Sequence, residues 1–160
     1  PENVWGSAFT GFVLALLIAA GIGSPALLLI GFSASFAAKL ADTFGSEIGK
    51  RWGRTTLLIT TLRPAPAGTE GAVSVEGTLA SAVGSLLMTV VVALLGLLQS
   101  GAACALVLVV GFIATLLESL LGALGQDRWS WLSNELVNGL QTAWAAGLAM
   151  LAAWLLGVSG

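Results

Sequence analysis

Long apolar runs separated by short polar links make up most of the chain. A helix that crosses a membrane needs about 20 mainly apolar residues, and five runs have roughly that length. We place them at about Val4–Ile22, Pro25–Ile48, Thr78–Leu98, Ala102–Leu124 and Trp131–Leu156. The pattern predicts an all-α fold, a polytopic transmembrane bundle of about five spanning helices.

A long polar stretch, residues 49–77, separates the second run from the third. It contains RPAPAGTEGAVSVEG, whose proline and glycine content favours an ordered loop or re-entrant hook over a helix. Ser24 and Pro25 form a start signal for the second helix, because serine caps free amides and proline fits the first turn. We expect Gly49 and Gly53 to help end that helix.

Composition agrees with a membrane protein. Of the 160 residues, 57% are hydrophobic and 9% are charged, and the mean hydropathy is +0.98, well outside the soluble average. We therefore treat residues 1–160 as a single integral membrane domain. Because the chain opens PENVWG without an initiating Met, we expect it to be a piece of a longer protein.

Charge and residue usage exclude several classes of function. A net charge of −2 argues against nucleic acid as a partner, since duplex binding needs a dense Lys/Arg surface. The chain has no histidine and one cysteine, Cys104. This excludes an intrachain disulfide, zinc ligation and Ser-His or Cys-His nucleophilic catalysis.

The charged residues gather on one side of the predicted bundle. Apart from Glu2, every Asp, Glu, Lys and Arg lies in residues 39–76 or 118–135. If the helices alternate in direction, both zones lie on the same side, whereas the opposite linkers, 21–24 and 98–103, have no charge. The positive-inside tendency then marks this side as cytoplasmic, through Lys50, Arg51, Arg54, Arg63 and Arg128.

The second run has a polar face near its charged end. Its members recur at helical intervals or lie beside that row: Ser35, Lys39, Asp42 and Ser46, with Thr43 and Glu47. Charges inside a membrane are costly unless they face an interior or a wet cavity, so Lys39 and Asp42 are candidate functional residues. The alternative is an ion pair between them at the interface, with Glu47 already in water.

The fourth and fifth runs repeat this design. One face of the fourth contains Thr115, Glu118, Ser119, Gly122 and Gln126, and one face of the fifth contains Asn134, Asn138, Gln141 and Thr142. Unless Glu118 is protonated and neutral, it needs Lys39, Arg63 or a divalent cation as a partner. The amides of the fifth run either join helices by hydrogen bonds or orient a phosphate or a metal.

The long polar loop supplies candidate phosphate ligands. They are Arg63, Gly68, Thr69, Glu70, Gly71, Ser74, Glu76 and Gly77. Glycines let backbone amides approach phosphate oxygens, hydroxyls add donors, and an arginine adds a fork of positive charge. The N-terminus of the third helix would add further amides. This is not a Walker motif, and a structured turn is the alternative interpretation.

Three helices and the loop thus present polar residues at the same membrane depth. The arrangement suits a site that binds an anionic, metal-complexed headgroup from the cytoplasm while a hydrocarbon tail stays between helices. Oxygen ligands without His or Cys favour Mg²⁺ or a similar hard cation.

Four motifs, in this order, resemble a known membrane family, the one that includes the plant and cyanobacterial phytyl-phosphate kinase and an animal transmembrane protein. They are ADTFGSEIG (41–49), TLRPAPAGTEGAVSVEGTLAS (61–81), LLESLLGALGQ (116–126) and LSNELVN (132–138). The resemblance implies a prenyl-phosphate kinase that transfers a phosphoryl group, preferentially from CTP, to an isoprenoid monophosphate such as phytyl or geranylgeranyl phosphate. One position departs from the family pattern, because Glu118 stands where the DSLLGA motif usually has Asp.

On this basis we expect Mg²⁺-assisted phosphoryl transfer at the cytoplasmic or stromal face of a bacterial inner or thylakoid-type membrane. Asp42 and Glu118 would hold Mg²⁺, with Glu47 or Glu70 as a third carboxylate. Lys39 and Arg63 would neutralise developing negative charge. The loop from Gly68 to Gly77, with Thr43 and Ser46, would bind the nucleoside triphosphate, and Ser119, Asn134 and Asn138 would bind the prenyl phosphate lipid.

Two other functions remain open from the sequence. One is a transporter or channel for a cation or an anionic lipid, although such a protein is expected to have polar groups on both sides of the membrane. The other is a membrane cytidylyltransferase, which would form a CDP-lipid and release pyrophosphate. Membrane lipids surround the chain in every case.

Overall fold

The computed structural model of the protein describes residues 2–126, 129 and 131–158. It contains five α-helices: α1 Glu2–Ala19, α2 Pro25–Trp52, α3 Val75–Leu94, α4 Gly101–Leu121 and α5 Asn134–Leu156. A π-helical turn, Gly122–Gln126, continues α4, and two short strands, β1 Thr56–Leu58 and β2 Ala72–Ser74, lie between α2 and α3. The all-α prediction is confirmed; Arg128 lies outside the described residues.

Four of these helices, α2 to α5, are long and apolar enough to cross a membrane. The apolar part of α1, Trp5–Ala19, is shorter. At 1.5 Å per residue it falls short of a hydrocarbon core of about 30 Å. Four of the roughly five predicted spans are therefore found within the described residues.

The ends of α2 differ from prediction in two ways. Ser24 is the N-cap residue and Pro25 follows it, but the serine side chain makes no capping hydrogen bond. The helix also continues through Gly49 to Trp52, so Gly49 does not end it. Gly53 does, and its backbone N–H donates to the Gly49 carbonyl at 3.0 Å. Gly49 instead packs against the start of α3, where a Cβ added to it would lie 3.5 Å from Gly77 Cα.

Helix α2 lies at the centre of the bundle and packs against the other four helices. Its contact with α3 depends on small residues, as the spacing of glycine and serine in the third run suggests. A Cβ added to Gly77 would meet the Gly45 carbonyl oxygen at 2.8 Å, and one added to Gly84 would meet the Leu40 carbonyl oxygen at 2.7 Å. This central position directs the polar face of α2 into the protein.

The segment between α2 and α3 is an ordered hook, defined here as residues 53–74. Its strands β1 and β2 pair antiparallel, with Thr56 opposite Ser74 and Leu58 opposite Ala72. Gly71 is buried where the hook meets the end of α4; it has a φ of 72°, and a Cβ there would overlap Ala123. Only glycine satisfies both conditions without strain. The hook is thereby fixed against the π-helical turn.

Candidate active site

A polar cavity of about 410 Å³ lies at the charged end of the bundle. Its walls come from the second half of α2, the hook, the first turns of α3, the end of α4 and the start of α5, and α1 contributes Ser7. The predicted site residues that line it are Lys39, Asp42, Thr43, Ser46, Glu47, Gly68, Thr69, Glu70, Gly71, Ser74, Gly77, Glu118, Ser119, Asn134 and Asn138. The tertiary structure thus brings polar residues from five segments into one space.

Arg63 and Glu76, which we also predicted to belong to the site, do not line this cavity. Arg63 is exposed on the hook, where its carbonyl accepts the Leu58 backbone N–H at 2.9 Å. Glu76 lies in the first turn of α3, and its Oε2 accepts the backbone N–H of Arg54 at 3.4 Å. Glu76 therefore ties the base of the hook to α3.

Lys50 also lines the cavity, whereas its place in the sequence indicated only the membrane side. A Cβ added to Gly68 would lie 4.0 Å from Lys50 Cε, so the lysine stem faces the exposed glycine loop. Helical periodicity could have predicted this position. Lys50 lies eleven residues after Lys39, which is about three helical turns, so both lysines lie on the same face of α2. Ser7, Thr56, Thr78 and Ser81 are further polar lining residues absent from the prediction.

Lys39 joins α2 to α5 in the cavity wall. Its Nζ donates to Asp42 Oδ2 at 2.8 Å and to Asn138 Oδ1 at 2.6 Å. The ion pair between Lys39 and Asp42 considered from the sequence is therefore present, with side chains 25% and 16% exposed. It is a half-buried pair that faces the cavity. An ammonium has three N–H donors, so two bonds leave one for an anion.

A second group of hydrogen bonds lies deeper than Lys39. Gln141 Nε2 donates to the Ala38 carbonyl at 3.3 Å and to Thr115 Oγ1 at 3.4 Å, and Thr115 Oγ1 donates to the same carbonyl at 3.2 Å. Gln141 is fully buried and does not line the cavity. The side chains of Gln141 and Thr115 thus join α2, α4 and α5. For this part of the fifth run, the structure shows hydrogen bonds between helices and not a group facing a ligand.

The loop residues divide into buried and exposed sets. Ser74 is the N-cap of α3, and its Oγ accepts the Gly77 backbone N–H at 3.1 Å, so that amide is already bonded. Gly71 is buried against α4. Gly68, Thr69 and Glu70 are exposed and line the cavity beside Lys50. Of the predicted loop residues that line the cavity, Gly68, Thr69 and Glu70 are therefore the most accessible to a ligand.

Acidic and basic groups share the cavity. Lys39, Asp42, Glu70 and Glu118 all line it. Within the described part of the chain, no three His, Cys, Asp or Glu side chains are grouped so that they could hold a metal by themselves. Mg²⁺ usually binds through one or two carboxylates together with substrate phosphates and water. This set of oxygen donors fits a Mg²⁺ ion that arrives with a polyphosphate.

Comparison with known proteins gives one family model and several relatives. The model described as "Integral membrane protein DUF92" matches residues 1–146. The uncharacterized membrane protein sll0875 of Synechocystis is 51% identical over 151 residues, which cover 94% of this chain and 58% of the relative. Protein VTE6, chloroplastic, of Arabidopsis thaliana is 41% identical over 156 residues, which cover 94% of this chain and 46% of the relative.

A third relative is the uncharacterized membrane protein MJ0933 of Methanocaldococcus jannaschii. It is 36% identical over 143 residues, which cover 88% of this chain and 57% of the relative. No solved structure matches the chain. The chain spans about half the length of these curated relatives. It belongs to the DUF92 family of integral membrane proteins, which confirms the family resemblance that its four motifs indicated.

Proposed function

We propose that the protein catalyses phosphoryl transfer from CTP to an isoprenoid monophosphate such as phytyl or geranylgeranyl phosphate. The observation that supports this most directly is the polar cavity, which lies at one end of an apolar bundle and has both ammonium and carboxylate groups in its walls. Such a site suits the transfer of a charged group to a lipid substrate whose tail stays in an apolar environment. The resemblance of the motifs to the phytyl-phosphate kinase family supports the choice of substrate and donor.

In the proposed reaction an oxygen of the acceptor phosphate attacks the γ-phosphorus of CTP. The bond from that phosphorus to the β,γ-bridging oxygen breaks, and CDP leaves with the electron pair. The products are CDP and the prenyl diphosphate. The acceptor oxygen is already anionic at neutral pH, so the site needs no strong general base, and positioning and charge neutralisation supply most of the catalysis.

The two lysines have different roles in this proposal. Lys39 is fixed between Asp42 and Asn138, so its remaining N–H would contact the transferring phosphoryl group from a defined position. Lys50 faces Gly68 and would bind the nucleotide's phosphates together with the loop amides. Lys50 thus takes the phosphate-binding role that we first gave to Arg63.

The carboxylates would act through Mg²⁺. Asp42 and Glu118, which lie on different helices and line the same cavity, would hold the ion, with Glu70 or the exposed Glu47 near it. When bound, Mg²⁺ would neutralise negative charge on the phosphates. Asn134 and Ser119 lie at the cavity wall formed by α5 and α4 and would orient the acceptor phosphate.

The test uses the protein purified in detergent with CTP, Mg²⁺ and phytyl phosphate, and it measures CDP and the lipid diphosphate. We expect Asp42→Asn to lower kcat/KM about 100-fold or more, because removing one group that stabilises charge in a transition state typically costs about 10²–10³ in kcat. Glu76→Gln is the matched control, since it also neutralises one carboxylate but lies outside the cavity. Full activity of Asp42→Asn would refute the proposed metal role.

Other products would point to the alternative functions. Release of pyrophosphate with formation of a CDP-lipid would identify a cytidylyltransferase. Uptake of a cation or of an anionic lipid into liposomes without nucleotide, and without product formation, would identify a transporter. Either result would overturn the kinase proposal.

A further inference from the structure

An apolar groove of about 300 Å³ lies next to the polar cavity. It is formed by the two strands of the hook and the first turns of α3. Its lining residues are Thr55, Leu57, Val73, Ser74, Val75, Thr78 and Leu79. The lining includes three hydroxyl residues but is almost wholly apolar, which needs a physical explanation.

Hydrogen bonds within the chain occupy two of these three hydroxyls. Ser74 Oγ accepts the Gly77 backbone N–H at 3.1 Å, and Thr78 Oγ1 donates to the Ser74 carbonyl at 2.8 Å. Both hydroxyls are thus used where α3 begins. Leu57, Val75 and Leu79 contribute hydrocarbon to the remaining wall. A groove of this kind favours an apolar occupant over water.

The groove adjoins the polar cavity. Val73, Ser74 and Thr78 line both spaces, so the two meet along β2 and the first turn of α3. On one side of this junction lie the ammonium and carboxylate groups of the cavity, and on the other side lies hydrocarbon. A ligand that fills both spaces must be an amphiphile with a charged head and an apolar tail.

The groove also meets the part of the protein that spans the membrane. Val75 is 69% exposed and Leu79 is 63% exposed, and both lie at the start of the candidate span Val75–Leu94. Exposed apolar side chains on a spanning helix contact hydrocarbon. A lipid tail can therefore enter the groove from the bilayer without crossing water.

We propose that this groove holds the isoprenoid tail of the phosphorylated acceptor while its phosphate lies in the polar cavity. This inference rests on the proposed function in taking the acceptor to be a phosphorylated lipid. It also changes the expected path of the tail, which would lie between the hook and α3 instead of among the spanning helices. Lipid is as apolar as the groove, so the tail gains little affinity when it moves from the bilayer into the groove. The role of the groove is to place the phosphate head in the polar cavity.

The first experiment locates the tail without requiring catalysis. The wild-type protein in phosphatidylcholine nanodiscs is photolysed with dodecyl monophosphate that has a diazirine near the middle of its chain, and labelled residues are mapped by mass spectrometry. The matched probe is dodecanol with the same diazirine. We expect the phosphate probe to label Leu57, Val75 or Leu79 at least tenfold more than the alcohol, and unlabelled dodecyl phosphate to suppress this labelling.

Equal labelling by both probes would mean that ordinary bilayer lipid fills the groove, and it would overturn the proposal. So would phosphate-dependent labelling confined to Leu86 and Leu87, which are exposed farther along α3 and do not line the groove.

The second experiment measures selectivity for the tail. Leu79→Trp fills the groove, and Leu87→Trp is the matched control on the same helix. We expect Leu79→Trp to lower the ratio of kcat/KM for a C20 prenyl phosphate over that for isopentenyl phosphate at least tenfold, and Leu87→Trp to leave the ratio unchanged. An unchanged ratio in Leu79→Trp overturns the groove proposal while the kinase function stands. If no acceptor is phosphorylated, the proposed function fails, and the photolabelling still decides the groove.

Discussion

Docking of the hook onto α4 depends on Gly71, and substituting it gives the sharpest test of how the cavity is built. A Gly71→Ala side chain would face two penalties. The φ of 72° costs an L-residue about 1–2 kcal/mol. The new Cβ would overlap Ala123, whose Cα and backbone N would lie 2.7 Å away, and overpacking of this kind typically costs about 1–3 kcal/mol.

Gly96→Ala separates these penalties. Gly96 has the same φ of 72°, but a Cβ there meets nothing within 4 Å. It lies between α3 and α4, at the opposite end of the bundle from the cavity. We therefore expect Gly96→Ala to cost about 1–2 kcal/mol and Gly71→Ala about 1–3 kcal/mol more. This overlap alone corresponds to roughly 5–150-fold more of the open hook, and the backbone penalty at residue 71 adds to it because opening relieves that strain as well.

The assay is cleavage of the Glu70–Gly71 bond by a glutamate-specific protease in detergent. Gly71 is buried, so cleavage requires the hook to open, and its rate follows the open population. We expect cleavage to be roughly 30–5000-fold faster in Gly71→Ala, because opening of the hook relieves both penalties, together about 2–5 kcal/mol, and to be unchanged in Gly96→Ala. Equal rates in the two variants would show that the contact with Ala123 does not fix the hook.

Three further predictions test single contacts. Lys50→Met should raise the KM for CTP about 10–100-fold, since a hydrogen bond to a charged group contributes about 1.5–3 kcal/mol, whereas Arg63→Met should change it less than about twofold, as measured by steady-state kinetics. Ser74→Ala should destabilise α3 by about 1 kcal/mol through loss of its cap and lower Tm by about 2–4 °C. Ser24→Ala should leave Tm unchanged, because the Ser24 side chain makes no capping bond. Gln141→Met should destabilise the protein by about 1–3 kcal/mol, measured by thermal unfolding, because it removes the Nε2 hydrogen bonds to the Ala38 carbonyl and to Thr115 Oγ1, each of which contributes about 0.5–1.5 kcal/mol.

The residues of the hook and of the first turn of α3 have different roles from those predicted. Gly71 fixes the hook to α4, and Glu76 bonds the backbone of Arg54, so two residues first interpreted as nucleotide ligands hold the wall in place. Within the hook, the exposed residues that line the cavity are Gly68–Glu70, and Lys50 lies beside them. The kinase proposal therefore assigns nucleotide binding to a loop that is held by contacts to α3 and α4, an arrangement that positions phosphates before they react.

Several features were determined by the sequence alone. Apolar runs of spanning length predict helices because every backbone polar group in lipid must be bonded within its own segment. The cost of charge in hydrocarbon predicts that Lys39, Asp42 and Glu118 share an interior space. Helical periodicity places Asn138 on one face of α5, and it bonds Lys39 across 99 residues of sequence.

Only the tertiary structure decided the rest, because those features depend on contacts that no local pattern encodes. The choice between Lys50 and Arg63 follows from the path of the hook, which is set by strand pairing and by Gly71 meeting Ala123, far away in the chain. Loop residues have no periodicity from which to predict that path. The apolar groove likewise arises where β1, β2 and α3 meet. Its apolar character depends in part on the hydroxyls of Ser74 and Thr78, which bond within the chain.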